Sequence, residues 1–293
     1  MHKAGFVNIV GNPNVGKSTL MNQLVGEKLS IATFKAQTTR HRIMGIVNTD
    51  NAQIVFSDTP GVLKPNYKMQ EMMLQFSESA LADADILLYV TDVVEDPKKN
   101  IDFLDKVSKM QIPVILLINK IDESDQQRLV MLVDIWHSLL PNAEILPISA
   151  QNKFGTDILL KRIYELLPES PAFFDKDQLT DKPAKFFVSE IIREKILRYY
   201  DKEVPYSVEV VVDSFKENEQ QIHIGAIIYV ERNSQKGIII GHQGHALKKV
   251  STEARKSLER FFNKKIFMEI FVKVDKDWRN SQKELNNFGY NPE

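Results

Sequence analysis

Along the first 167 residues, short unbroken apolar runs alternate with segments whose apolar positions recur every three or four residues. The runs at Phe6–Val10, Ile43–Val47, Gln53–Ser57, Ile86–Thr91, Val114–Ile118 and Glu144–Pro147 have the length of strands. Their apolarity is continuous, as expected for strands buried on both faces. This pattern predicts an α/β fold with a mostly parallel sheet covered by helices. The polar tetrapeptide "NTDN", Asn48 to Asn51, reads as a hairpin turn, so one strand there should run antiparallel. Asp96-Pro97 resembles a helix N-cap followed by proline at the first helical position, and Asp157 to Leu167 has amphipathic spacing that ends at Pro168.

Both periods fail in "PESPAFFDKDQLTDKP", Pro168 to Pro183, which reads as a linker. Its Phe173 and Phe174 give it the means to pack on a neighbour. The predicted organisation is a first domain over residues 1–170, a linker over 171–184, and a second domain with a C-terminal tail over 185–293. Within the second, the pattern gives a helix over Phe186–Tyr200, strands over Ser207–Asp213 and Ile222–Glu231, helical segments either side of "GHQG", and a strand over Ile266–Val274. That order is α+β.

Composition changes the picture little until it is divided. The 293 residues are 43% hydrophobic and 26% charged, and no apolar run approaches the roughly 20 residues of a membrane helix. The segment before Phe6 leaves no room for a signal peptide, so a cytoplasmic protein is expected. With no cysteine, disulfides, thiolate catalysis and cysteine zinc sites are excluded. The net charge of -1 conceals 18 Lys and Arg against 22 Asp and Glu up to Thr180, and 20 against 17 beyond it. Between Arg232 and Lys265 nine basic residues face two acidic ones, a local field that attracts polyanions.

The chemistry begins at "GNPNVGKS", Gly11 to Ser18, between a strand and a helical run. This spacing is that of a phosphate loop, with Gly11, Asn12, Pro13, Asn14, Val15 and Gly16 presenting backbone N–H groups. Lys17 reaches the outer phosphates, Ser18 supplies a hydroxyl to a magnesium shell, and Thr19 continues the helix. In "DTPG", Asp58, Thr59, Pro60 and Gly61 end a strand, where a carboxylate can hold the metal through water and a glycine N–H can face the γ-phosphate. In "NKID", Asn119, Lys120, Ile121 and Asp122 end another. Asp122 can accept two N–H bonds from guanine, whereas adenine would leave the carboxylate opposite an acceptor. Lys120 can cover the ring with its stem, and a backbone N–H at Ser149-Ala150 can meet the guanine oxygen.

Together these stretches resemble the translation-factor-related class of regulatory GTPases, over Met1 to about Leu167. The resemblance implies a GTP/GDP switch in which Ser18, Asp58 and a threonine of "AQTTRHR", Ala36 to Arg42, gather around Mg2+. Thr39 is the expected ligand and Thr38 the alternative. Lys17, Thr39 and the Gly61 backbone are then the catalytic groups. Many such GTPases place glutamine after the glycine of this motif to orient water, but Val62 stands here, which implies slow hydrolysis without help. Asn14 matches an asparagine that helps related GTPases hold K+ near the phosphates, where a cation would stabilise transition-state charge.

"GHQG", Gly241 to Gly244, is not a dinucleotide fingerprint, because it lacks a third glycine and an acidic ribose partner. Joining two helical segments inside the basic stretch, it resembles the loop of a K-homology RNA-binding domain of the bacterial, type II form. Lys236, Ile240, Gly241, His242, Gln243, Gly244, Lys248 and Lys249 are the expected RNA-binding residues. Ile238 and Ile239 are expected to contribute with Ile240 to the helix and base-facing groove. The usual cationic centre of the loop is replaced by His242-Gln243, so flanking lysines must supply the charge.

The two domains with "EIIREKILRYYDKEVPYSV", Glu190 to Val208, resemble members of the TrmE-Era-EngA-YihA-septin-like GTPase family that carry a C-terminal K-homology domain. The resemblance implies a monomer that binds the 3′ end of small-subunit ribosomal RNA, assists maturation of the small ribosomal subunit, and makes peripheral contact with the inner membrane. A metabolic phosphotransferase and a GTP-controlled scaffold whose second domain binds protein are the rival classes.

Overall fold

The computed structural model describes residues 2–291; Met1, Pro292 and Glu293, at the outer ends of the two expected domains, lie outside the described residues. The chain forms two compact units, one of residues 2–66 and 70–181, the other of 67–69 with 182–291.

The first unit is a six-stranded sheet of β1 (Lys3–Gly11), β2 (Ile43–Asn48), β3 (Ala52–Asp58), β4 (Ile86–Asp92), β5 (Val114–Asn119) and β6 (Glu144–Pro147), in the order β2-β3-β1-β4-β5-β6. Only β2 runs antiparallel, paired with β3 across the "NTDN" turn. Around the sheet lie α1 (Lys17–Val25), α2 (Lys68–Ala82), α3 (Ile101–Ser108), α4 (Gln126–Leu139) and α5 (Thr156–Leu166). Strands β3 and β4 are buried at every position, as their continuous apolar runs require. The parallel registers pair Ile9 with Asp58, Gly11 with Val90 and Asp92 with Asn119. They bring the C-terminal ends of β1, β3, β4 and β5 to one edge, where ligands bind open α/β sheets.

One helix start differs from expectation. Asp96-Pro97 does not open α3; residues 97–100 form a turn, with Asp96 Oδ1 accepting from the Lys98 N–H at 3.0 Å. The helix starts at Ile101, and Asn100 precedes it in the left-handed conformation, φ 55°.

The segment after Pro168 lies along the first unit. Phe173 and Phe174 pack on Phe6, with ring centroids 5.0 and 6.5 Å away. Buried Gln53 accepts from the Phe173 and Phe174 N–H groups at 2.7 and 3.0 Å and donates to the Phe174 carbonyl at 2.8 Å. Farther on, the Ile46 N–H donates to Leu179, and Thr180 donates through Oγ1 to the Met44 carbonyl at 2.7 Å.

The second unit contains α6 (Ala184–Tyr199), β7 (Val208–Glu217), β8 (Gln221–Val230), α7 (Asn233–Ile240), α8 (His245–Phe262), β9 (Lys265–Val274) and a short α9 (Gln282–Asn287). Strand β8 is central, antiparallel to β7 and parallel to β9. Its core is built at helical spacing from Val188, Ile192 and Ile196 of α6 and Val250, Ala254 and Leu258 of α8, over the inward positions of β8. The sequence pattern leaves α9 unpredicted, yet Trp278, Leu285 and Tyr290 are fully buried around it and Tyr290 donates through its hydroxyl to Glu209 at 2.8 Å. Among the described residues, no helix is long and apolar enough to cross a membrane.

Because one side chain holds three backbone groups of the 168–181 segment, Gln53→Ala should cost about 1 to 3 kcal/mol. Limited chymotrypsin digestion should then cut faster at Phe173, Phe174 and Leu179, with other sites unchanged. Unaltered cleavage there would show that the ring packing alone holds the segment.

Candidate nucleotide site and nucleic-acid interface

At the C-terminal edge of the sheet, the phosphate loop turns from β1 into α1. Gly16 precedes the helix in the left-handed conformation, φ 95°, and Asn14 shares that region at φ 68°. Lys17 is buried at 6% exposure, and its ammonium donates to the carbonyls of Gly11 at 2.9 Å and Asn12 at 2.8 Å. Burial lowers its pKa to about 8, against the opposing pull of Asp58 and Glu95.

Three oxygen-bearing side chains meet beside it. The Ser18 hydroxyl donates to Asp58 Oδ2 at 2.7 Å and lies 2.8 Å from the Thr39 hydroxyl, which donates to the same carboxylate oxygen at 3.3 Å. Desolvation raises the Asp58 pKa, opposed by Lys17 and by the hydroxyls of Ser18, Ser30 and Thr39. Its other oxygen, Oδ1, is buried and makes no bond of ordinary geometry, with the Ser30 hydroxyl as its neighbour. Two hydroxyls and a carboxylate with an unused oxygen form the hard-oxygen set that Mg2+ takes. Thr38 is turned away, with its hydroxyl 2.8 Å from that of Thr33 and donating to the Lys35 carbonyl at 2.5 Å.

The loop after β3 closes over the phosphate loop. Thr59 donates to the Ile9 carbonyl at 2.8 Å, and the Val62 N–H donates to that of Gly11 at 3.0 Å. A side chain on Gly61 would lie 2.6 Å from the Pro13 backbone, so only glycine lets the two loops meet. Val62 is 4% exposed and its side chain joins the core with Val10, Leu87 and Tyr89.

On the other side of the phosphate loop, Asn119 donates through Nδ2 to the Val15 carbonyl at 2.8 Å and accepts through Oδ1 from the Ala150 N–H at 2.9 Å. Lys120 pairs with Asp92 at 2.5 Å. Asp122 is exposed and lines a cavity of about 200 Å³ with Gly16, Thr19, Asn119, Lys120 and Ala150. Ile121 starts a single helical turn that projects Asp122. One expectation is corrected: the Ser149 N–H donates to the Phe154 carbonyl and the Ala150 N–H to Asn119, so in this structure neither faces the cavity as an open donor. Glu123 and Gln151 also line the cavity. No motif named them, because only the closing of two loops brings them there.

In the second unit, α7 ends at Ile240 and the chain passes through Gly241 (φ 70°), Gln243 (φ 49°) and Gly244 (φ 78°) into α8. A Cβ on Gly241 would lie 2.6 Å from that of Ala246, whereas one on Gly244 would meet nothing within 4 Å. Gly241 therefore serves packing, and Gly244 leaves open space at the N-terminus of an 18-residue helix, where anions are favoured. His242, Gln243, Lys248 and Lys249 are exposed; Ile240 and Lys236 are half-buried. The Lys249 ammonium stands 4.4 Å from the centre of the Tyr199 ring, a cation–π contact that orients it. Ile239 does not join a groove: it is fully buried, and its carbonyl accepts from the Tyr200 hydroxyl at 2.7 Å.

A family model described as "50S ribosome-binding GTPase" matches residues 6–120, and one described as "KH domain" matches residues 203–279. GTPase Era of Syntrophus aciditrophicus is 45% identical over 99% of this chain and 96% of its own length. That of Clostridium kluyveri is 44% identical over 99% and 100%. The chain belongs to the Era family of GTPases. Era in complex with MgGDPNP and nucleotides 1506–1542 of 16S ribosomal RNA superposes with a TM-score of 0.94 at 38% identity, over 99% of each chain. A single-substitution variant of Aquifex aeolicus Era bound to GDP·AlF4− gives 0.94 and 38%, over 98% of this chain and 99% of its own.

In this Era-family GTPase the buried lysine generates a pH dependence. Above about pH 8 the nucleotide-free protein holds Lys17 neutral, whereas bound phosphates require the ammonium. Binding there must take up a proton, so GTP affinity should fall as pH rises through 8, by up to about tenfold per unit. Calorimetry between pH 7 and 9, where guanine keeps its ring proton, in buffers of different ionisation enthalpy checks this. Constant affinity with no proton uptake would refute it.

Proposed function

We propose that this GTPase is a molecular switch that binds GTP in its first unit, holds the 3′ end of small-subunit ribosomal RNA in its second, and assists maturation of the small ribosomal subunit. The observation that carries this reading is one chain with the convergence of Ser18, Thr39 and Asp58 beside Lys17 and an exposed glycine loop at a helix N-terminus. Support for the RNA comes from the fragment held by the related Era complex. The family description naming the 50S subunit covers only residues 6–120 and does not bear on the second unit.

In this reading the phosphate-loop N–H groups and Lys17 bind the phosphates, Asp122 accepts from guanine, and Lys120 covers the ring. Ser18, Thr39 and Asp58 are the residues that would hold Mg2+, which supplies charge neutralisation at the β- and γ-phosphates. Thr39 rather than Thr38 takes that role, because its hydroxyl already faces Ser18 and Asp58. Val62 is buried and cannot orient water, so turnover by the protein alone is slow and depends on backbone donors, with Asn14 holding K+ as a further source of positive charge. The Gly241–Gly244 loop receives the sugar-phosphate backbone, Ile240 faces a base, and Lys236, Lys248 and Lys249 supply phosphate contacts. The protein is in this reading a cytoplasmic monomer that makes peripheral contact with the inner membrane.

Gly244 is the position at which to test the RNA site, since a substitution at Gly241 would collide with Ala246, whereas at Gly244 the space is open and the φ of 78° is one that aspartate adopts at modest cost. Gly244→Asp should weaken binding of an RNA spanning 16S nucleotides 1506–1542 by at least about tenfold while GTP hydrolysis continues at the parent rate. Parental RNA affinity would favour a protein-binding role for this domain instead.

The switch and the cation have separate tests. GTP should tighten RNA binding by the factor with which RNA tightens GTP binding. Equal RNA affinity of the nucleotide-free, GDP and GTP forms would exclude a switch. Replacing K+ by Na+ should slow hydrolysis, and equal rates in the two salts would remove Asn14 from the mechanism.

A further inference from the structure

Asn100 occupies a helix N-cap position but does not behave as a cap. Such residues normally adopt extended backbone and accept an N–H bond from the first turn. Here φ and ψ are 55° and 46°, and the side chain makes no capping bond to α3. Its amide instead spans two segments distant in sequence. Nδ2 donates to Asn12 Oδ1 of the phosphate loop at 2.6 Å and to the Val62 carbonyl at 2.9 Å. The carbonyl is only an acceptor, so it fixes which end of the amide faces it.

These bonds complete a closed arrangement. The Val62 N–H donates to the Gly11 carbonyl, which also accepts from Lys17, and Lys17 donates to the Asn12 carbonyl. Asn12 in turn bonds Glu95, a carboxyl whose pKa burial raises, and Thr91 donates to Glu95 at 3.1 Å. Val62 is thus held at both its N–H and its carbonyl, and its side chain is locked in the core. The Gly61 N–H shares a peptide with the Pro60 carbonyl, which accepts from the Ser77 hydroxyl at 2.8 Å, and the Gly61–Val62 peptide anchors the other side of Gly61. A residue in a sparsely populated backbone region, with its side chain diverted from local use, marks a position held for function.

We propose that Asn100 is a positioning residue for GTP hydrolysis, fixing the Gly61–Val62 backbone against Asn12 so that the Gly61 N–H meets the outermost phosphate in one orientation. The proposal rests on the reading of Gly61 as the phosphate-facing donor. It deepens that reading by assigning a support for the backbone on the C-terminal side of Gly61.

Two full-length variants test it. Asn100→Gly keeps the left-handed backbone and removes both bonds. Asn100→Asp keeps shape and conformation but sets an oxygen against the Val62 carbonyl. Both should slow single-turnover GTP hydrolysis roughly tenfold or more, the scale of a small misplacement of a reacting group. Affinity for GDP, which has no outermost phosphate, should change less than about twofold. Parental hydrolysis in Asn100→Gly, or a fall in GDP affinity that matches the fall in rate, would overturn the assignment. Absence of hydrolysis by the unmodified chain in the same assay would instead overturn the GTPase reading of the site, and this inference with it.

Discussion

Burial of one ammonium group constrains the first unit. Lys17 sits under the phosphate loop out of water, where an unpaired charge would be prohibitive. It persists because the loop curls to offer the carbonyls of Gly11 and Asn12, and because Asp58 stands close enough to oppose the desolvation. Both conditions come from strand order. Only with β3 and β4 flanking β1 do Asp58 and Glu95 fall beside the loop that β1 delivers. The buried Asp58 is in turn held by Ser18 and Thr39, so the first switch segment is tied to the same charge. A ligand that brings phosphates and a divalent cation adds negative charge beside Lys17 and positive charge beside Asp58, each opposing the desolvation of its neighbour.

The second unit solves a different problem. A polyanion needs a surface where backbone can approach phosphate closely, and a core must hold that surface still. The rigidity comes from below the loop: Ile239 and Val250, on either side of it, are both fully buried, and Tyr200 bonds the Ile239 carbonyl. The division of labour between the two glycines follows from the same packing. Gly241 lets α8 approach through Ala246, which leaves Gly244 as the open point.

The elements were legible in the sequence to within three residues for every strand of the six-stranded sheet, and the antiparallel hairpin was as well, because burial on both faces writes a pattern that local composition carries; β7, half-exposed beyond Val210, runs four residues past its expected end. What was illegible depended on tertiary partners. Asp96-Pro97 has the local chemistry of a helix start, but Asn100 is drawn toward Asn12 and Val62, and the helix begins after it. Residues 168–181 lack a period because Gln53 and Phe6, far away in sequence, hold them. Short α9 has too few turns to show an apolar face and is ordered by burying Trp278 and Tyr290. The motifs located both sites, yet they could not say that the Ala150 N–H serves Asn119 or that Ile239 belongs to the core.

The two departures from family pattern have one physical consequence. Val62 stands where a glutamine side chain would orient water, and His242-Gln243 where a cationic side chain would meet phosphate. In the first loop a task usually given to a side chain at the tip falls to backbone groups, and in the second it is shared between backbone and the flanking Lys236, Lys248 and Lys249; backbone groups act only as well as they are held. The first loop is held by the Gly11 carbonyl and Asn100, the second by Ala246 packing and the start of α8. Side-chain changes at the tips should then be cheaper than changes in the residues that fix the backbone behind them. This inverts the usual expectation that the loop tip is the sensitive position. It also explains why the informative residues in both units, Asn100 and Gly244, lie at the entrances to helices: a helix N-terminus is where a rigid element hands a defined backbone direction to a loop.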